Sequence, residues 1–204
     1  MSEQGLFCVL EGIDGSGKSS LCEQITNHYK YRSFAISAFA EPTKFPTGKK
    51  IRKVLSGELE MSSKELLELF LEDRKESLEK NIYPSLQKDK LTIADRYLYS
   101  TCAYQGISFF SPLEIFKMNL ERGFRLPDIV FYLEIDLQTA FERRKDRLGQ
   151  EILETESIQA KVLRNYEILF RENKLQENVF ILDGKKTIPD LLKQSVSILD
   201  RFLD

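Results

Sequence analysis

Short apolar runs recur along the chain, separated by longer stretches in which apolar residues fall at helical spacing. The runs are Leu6–Leu10, Ser33–Ala40, Leu91–Ala94, Ile129–Ile135 and Val179–Leu182. Ile129–Ile135 is almost unbroken, as in a strand covered on both faces rather than one. Between the runs, Leu21 and Ile25 begin one helical pattern, and Lys49–Leu55 forms a short second one closed by Gly57. Ser62 and Glu65 form a capping box ahead of Leu66, Leu67, Leu69, Phe70 and Leu71. Ser111-Pro112-Leu113-Glu114 opens another helix that Gly123 closes. Val162, Leu163, Tyr166 and Leu169 mark a later helix, and Pro189 begins the last, through Leu192, Val196, Leu199 and Phe202. Strands that alternate with helices pair in parallel through right-handed crossovers. The pattern therefore predicts an α/β fold, a three-layer α/β/α sandwich around a five-stranded parallel sheet.

Ligands of such sheets sit at the carboxyl ends of the strands, which converts position into chemistry. The first run leads directly into Gly12-Ile13-Asp14-Gly15-Ser16-Gly17-Lys18-Ser19, which reads G-x-x-x-x-G-K-S, a P-loop. Gly12, Ile13, Asp14, Gly15, Ser16, Gly17, Lys18, Ser19 and Ser20 are thus the candidate cradle for the phosphates of ATP. Backbone N–H groups and the following helix N-terminus would meet the anion, Lys18 would reach the β/γ-phosphates, and Ser19 would take a place on Mg²⁺. The glycine spacing is not the G-x-G-x-x-G of dinucleotide folds. The second strand ends at Glu41. The third ends at Asp95-Arg96, where Asp95 is placed to hold Mg²⁺ or its water, and Arg96 to hold a phosphate on a second substrate. After the fourth strand comes a basic segment with Arg143, Arg144 and Arg147. Arg143 and Arg147 are expected on one helix face with Arg144 to the side. The P-loop itself has no arginine, so a lid at about 142–154 carrying these three is a source of charge for the migrating phosphoryl, against the plainer reading of a solvated charge run. Phe70 and Arg74 lie one helical turn apart and suit either core packing or a platform and donor for a base. Thr101, Tyr104 and Gln105 follow the Asp-Arg pair and could line the same cleft.

Composition narrows the partners. The 204 residues suffice for one full core, and a single domain is expected. A net charge of −2, from 30 basic and 32 acidic residues, gives no global pull toward nucleic acid or an anionic membrane. Cys8, Cys22 and Cys102 are odd in number, with no C-x-x-C pair, which argues against a disulfide framework or a zinc site. His28 is the only histidine, so histidine-based catalysis has almost no material. With no leader and no apolar run near the ~20 residues of a membrane span, the expected location is the cytoplasm.

With these residues in view the chain resembles the thymidylate kinase family over nearly its whole length. Glu11 to Ser20 is similar to the family's P-loop, and Glu41-Pro42 falls where the family has Arg-Glu-Pro-Gly-Gly. Phe70 with Arg74 resembles its Leu-Phe-x-x-x-Arg helix, and Asp95-Arg96-Tyr97 its Asp-Arg-Tyr/His motif. Ser100-Thr101-Cys102-Ala103-Tyr104-Gln105-Gly106 is the most specific match, to Ser-Thr-x-Ala-Tyr-Gln-Gly. Pro127-Asp128, and Val162-Leu163-Arg164 with Tyr166, are similar to further positions. The resemblance implies Mg-ATP and dTMP as substrates, giving ADP and dTDP, with a homodimer left open. It implies that Phe70 stacks on thymine, that Arg74 and Thr101 contact its polar edge, and that Arg96 holds the monophosphate. Tyr104 would crowd a ribose 2′-hydroxyl, Asp14 would lie near the 3′-hydroxyl, and Glu41, Ser100 and Gln105 would complete the acceptor site. The arginine-free P-loop with an arginine-bearing lid looks like the bacterial subtype. Two departures stand out: Ala40-Glu41-Pro42-Thr43-Lys44 lacks the family's arginine and glycines, and Gly149 to Glu154 has no clear Asp-Arg-x-Glu. The rival readings are a deoxynucleoside kinase, in which Glu41 would act as base on a sugar hydroxyl, a P-loop switch, and a catalytically dead relative. The switch lacks its guanine reader, since Asn173-Lys174-Leu175-Gln176 has no Asp.

Overall fold

A computed structural model describes residues 5–145 and 155–203. The apolar runs form strands β1 (Leu6–Glu11), β2 (Ile36–Ala40), β3 (Leu91–Asp95), β4 (Ile129–Glu134) and β5 (Val179–Asp183). All neighbours pair in parallel, in the order β2-β3-β1-β4-β5, so the strand that feeds the P-loop is central. Leu10 pairs with Asp95 and Ala40 with the same residue, which brings the carboxyl ends of β1, β2 and β3 to one level.

Side chains of β1 alternate between two cores. Cys8 and Leu10 pack with Leu21, Ile25 and Tyr29 of α1 (Lys18–Tyr31) and with Leu191, Ile198 and Leu199 of the C-terminal helix, Ile188–Leu203. Phe7 and Val9 face a larger core on the opposite side. That side is built from α3 (Ser63–Ser77), α4 (Tyr83–Lys88), α5 (Leu98–Gln105), α6 (Pro112–Glu121) and α8 (Glu156–Glu167). Two shorter helices complete the order: α2 (Pro46–Leu55), which packs Ile51 and Leu55 on Leu69, and α7 (Leu137–Glu142) after β4. The three layers and the five-stranded parallel sheet agree with the pattern of the sequence. Among the described residues no helix is long and apolar enough to cross a membrane.

The boundaries move where hydrogen bonds decide them. Strand β2 begins at Ile36 rather than Ser33, because Ser33 is left-handed (φ 56°) and the Phe34 N–H is taken by Tyr29 O at the end of α1. Helix α2 starts at Pro46, ahead of the expected Lys49, since proline loses nothing in a first turn where N–H groups have no partner. Helix α3 runs on through a wide π-type turn, Leu78–Ile82, into α4. Pro84 has no N–H for the carbonyl one turn back, and the widening sits directly before it.

Helix α2 meets the loop after β2 at a point of close approach. A Cβ on Gly48 would lie 2.0 Å from Thr43 O and 2.5 Å from Thr43 N. Gly→Ala inside a helix ordinarily stabilises by about 0.5–1 kcal/mol. Here the sign should invert, with Gly48→Ala losing about 1–3 kcal/mol in urea denaturation through overpacking; a stabilised variant would show that the contact yields freely.

Candidate active site

The P-loop folds around its own lysine. Lys18 is 5% exposed, and its Nζ donates to Ile13 O at 2.8 Å. Burial, and then Arg96, lower its pKa to about 8. Gly15 (φ 87°) leaves no room for a side chain, since a Cβ there would lie 2.5 Å from Ala140 O. Helix α7 is thereby seated directly on the loop. Ser19 and Ser20 are exposed in the first turn of α1, and the Ser19 hydroxyl donates to Asp95 Oδ2 at 2.5 Å. Asp95 Oδ1 is buried without a donor among the described residues. A hydroxyl beside an orphaned carboxylate oxygen fits a hydrated Mg²⁺, which keeps several waters and needs few protein ligands.

Arg96 leaves β3 in the left-handed region (φ 69°), an uncommon conformation for a residue with a side chain. Its guanidinium reaches Asp14 Oδ1 at 2.5 Å, Ser100 Oγ at 3.1 Å and Gly12 O at 3.2 Å, and lies 4.9 Å from the centre of the Tyr104 ring. The Tyr104 hydroxyl donates to Asp14 Oδ2 at 2.9 Å. Burial alone would raise the Asp14 carboxyl, but Arg96 and Lys18 outweigh it and hold it well below the usual carboxylate range. The P-loop and Arg96 are thus joined by an ion pair.

Arg74 is buried, and both of its outer nitrogens make hydrogen bonds. NH1 donates to Asn119 Oδ1 at 2.9 Å, and NH2 to Glu41 Oε2 at 2.7 Å and Thr101 Oγ1 at 2.8 Å. Burial pushes Glu41 up to about 7, against the pull of Arg74. Glu41, Arg74 and Thr101 line a cavity of about 160 Å³ together with Asp14, Phe70, Arg96 and Tyr104. Phe70 does two jobs, packing on Ile51 and Leu55 while presenting part of its ring to the cavity.

Of the residues singled out in the sequence, Asp14, Glu41, Phe70, Arg74, Arg96, Ser100, Thr101 and Tyr104 meet at this cavity. Gln105 does not. It lies one position beyond Tyr104 on α5, is turned away, and lines a neighbouring hollow with Val54, Met61 and Leu66. Helix α7 ends at Glu142 and Arg143 is its C-cap, and the helix face expected to pair Arg143 with Arg147 lies outside the described residues. Arg143 donates to Gly184 O at 2.8 Å, and Arg144 is buried with its guanidinium 4.6 Å from the Phe141 ring centre. Arg147 and the greater part of the 142–154 segment lie outside the described residues. Sequence reasoning missed Arg52, Leu55 and Pro42 in the cavity wall, and Asn119 and Glu11 behind it. The lone charge ending an apolar strand was the available signal for Glu11; nothing local marks the others.

A P-loop at the end of a central parallel strand, with a small arginine-bearing cavity beside it, defines a P-loop kinase. The family model described as thymidylate kinase matches residues 10–196. A thymidylate kinase of Leptospira interrogans is 41% identical over 198 residues, covering 97% of this chain and 95% of the relative. One of Fervidobacterium nodosum is 34% identical, covering 97% of this chain and all of its own. The solved thymidylate kinase of Candida albicans superposes with a TM-score of 0.79 at 24% identity, covering 98% of this chain and 93% of that one, a likeness of fold. The chain belongs to the thymidylate kinase family, phosphotransferases that take ATP as phosphate donor and act on small molecules.

The Glu41 carboxyl gives a pH signature. Its folded pKa of about 7 exceeds the ordinary 4.5, so the stability it contributes is fully present below about 4.5 and is lost as the pH rises through about 7. Glu41→Gln cannot titrate. Its melting temperature should therefore gain on that of the wild type between about pH 5 and about pH 8, and a constant difference would contradict the raised value.

Proposed function

We propose that the chain transfers the γ-phosphoryl of Mg-ATP to dTMP, giving ADP and dTDP, by in-line displacement. The observation that carries the reading is the Asp14–Arg96 pair at 2.5 Å, which spans from the P-loop to the cavity. A monophosphate held by Arg96 would end beside the loop that cradles the donor, and that is the geometry the displacement needs. In this reading Gly12 to Ser20 hold the ATP phosphates and Lys18 sets its charge against the transferred group. Ser19 and Asp95 are the residues that would hold Mg²⁺ or its waters; the bound ion supplies neutralisation of the phosphate oxygens. Phe70 stacks on thymine, Arg74 and Thr101 meet its polar edge, and Ser100 steadies Arg96. Tyr104 crowds the space of a ribose 2′-hydroxyl, and Asp14 lies near the 3′-hydroxyl.

Arg74 is already fixed by Glu41, Thr101 and Asn119, so little reorganisation precedes binding. Arg143 and Arg144 follow a helix seated on Gly15, which sets basic charge beside the donor loop. In our reading the segment at about 142–154, with Arg147, is the lid that completes it.

A coupled assay of ADP release across nucleoside monophosphates, with thymidine as a further acceptor, tests the reaction. Turnover of dTMP and not thymidine is expected; a preference for thymidine would favour a deoxynucleoside kinase with Glu41 as base. Two substitutions should split the kinetics. Lys18→Ala should lower kcat/KM by more than about tenfold with folding intact. Phe70→Ala should raise the KM for dTMP about five- to hundredfold and leave that for ATP nearly unchanged, since base stacking is worth roughly 1–3 kcal/mol. Equal effects of Phe70→Ala on both substrates would return the ring to the core.

A further inference from the structure

Helix α3 buries two consecutive charged residues, Asp73 and Arg74, each 1% exposed. Arg74 serves the cavity. Asp73 does not line it, and makes no ion pair among the described residues. Its carboxylate is spent on the loop that follows β2. Oδ2 accepts the Thr43 N–H at 2.8 Å, while Oδ1 lies 2.6 Å from the Thr43 hydroxyl and 2.7 Å from that of Thr47. The Thr43 carbonyl is held from the other side by Arg52 NH1 at 2.6 Å, and Arg52 NH2 also donates to the Pro42 carbonyl. Gly48 packs against the same peptide unit. Thr43 is therefore held by its amide, its carbonyl and its side chain at once.

The residues just before Thr43 are cavity wall. Pro42 and Glu41 both line the acceptor cavity, and Glu41 carries one of the bonds that orient Arg74. A buried carboxylate satisfied by neutral donors loses most when those donors are mismatched, and its loss would leave the Thr43 N–H without a partner in a region closed to water.

We propose that Asp73 is a positioning residue for the acceptor: by locking Thr43 it sets where Glu41 and Pro42 stand, and hence the affinity for the nucleoside monophosphate, without touching it. The proposal rests on the reading of the cavity as the acceptor site. No hydrogen bond of this clamp goes to Lys18 or another P-loop residue, so its signature is a one-sided effect on the two substrates.

The test uses the full chain. Asp73→Asn keeps the shape of the side chain but turns an NH₂ group toward a donor. It should raise the KM for dTMP by about tenfold or more while the KM for ATP stays within about twofold. Thr43→Val, which removes the clamped hydroxyl, should move the KM for dTMP in the same direction, and Thr43→Ser, which restores it, should stay near the wild type. An unchanged KM for dTMP in Asp73→Asn, or an equal rise for both substrates, overturns the proposal. If Asp73→Asn fails to fold, the Thr43 pair decides, and equal KM values for dTMP in Val and Ser variants overturn it. Calorimetric titration with dTMP separates the two layers. A wild type that binds dTMP without phosphorylating it refutes the reaction and leaves the clamp to be read as a loss of affinity in Asp73→Asn; a wild type that does not bind dTMP overturns both.

Discussion

Glu11 ends the central strand with a carboxylate that is completely buried, and its surroundings are arranged to meet that charge. It accepts the N–H groups of Tyr97 and Ser100 at 3.0 and 3.2 Å, the Ser100 hydroxyl at 2.5 Å and the Tyr166 hydroxyl at 3.0 Å. Burial raises its pKa while these donors pull it back. A carboxylate in this position is tolerable only with its hydrogen bonds made, because desolvation of an unpaired charge costs far more than one bond returns. The consequence is geometric. The first turn of α5, which carries Ser100 and Thr101 of the cavity wall, is tied to the last residue before the P-loop, and α8 is tied to both. Arg96 sits between those anchors, which over-determines its left-handed backbone and aims its guanidinium at Asp14 and Gly12 of the P-loop.

The same economy governs Arg74. Its terminal nitrogens donate to Asn119 from α6, Thr101 from α5 and Glu41 from the loop after β2, so three separate stretches of chain converge on one guanidinium, whose Nε is left without a partner among the described residues. A planar fork suits such convergence in a way an ammonium does not. The guanidinium also lies 4.9 Å from the centre of the Tyr97 ring, and the Tyr97 hydroxyl is in turn anchored on Arg125 O. Orientation is therefore built in before any ligand arrives.

What could be read in the sequence follows from range. The strands, the P-loop and the Phe70–Arg74 spacing are local patterns, and each predicted element is present in the fold. Ser62 and Ser111 both form the capping boxes their sequences suggest. Errors cluster at the ends of elements and in the rotation of helices, where single hydrogen bonds rather than periodicity decide the outcome. Ser33 and Phe34 were taken from β2 by the end of α1, and Gln105 was turned from the cavity by its place on α5. Arg143 sits at a cap rather than within a helix, because α7 is short. The roles of Arg52, Asp73 and Asn119 depend on partners 9, 30 and 45 residues away, and no periodicity encodes such pairs.

Strand order divides the labour of this molecule along the chain. The strands on one side of β1, with their connections, span residues 36–105 and supply every cavity-lining residue but Asp14, while β4 on the other side leads into α7, which sits on the P-loop. The cavity wall and the helix on the P-loop thus come from separate, nearly contiguous blocks of sequence that meet at β1 and again where Asn165 and Tyr166 of α8 bond Ala103 and Ser100 of α5. Within residues 41–105 the P-loop is reached through three side chains, Asp95 on Ser19, Arg96 on Asp14 and Gly12, and Tyr104 on Asp14, so a library that holds those three fixed varies the cavity wall and keeps the loop's own bonds.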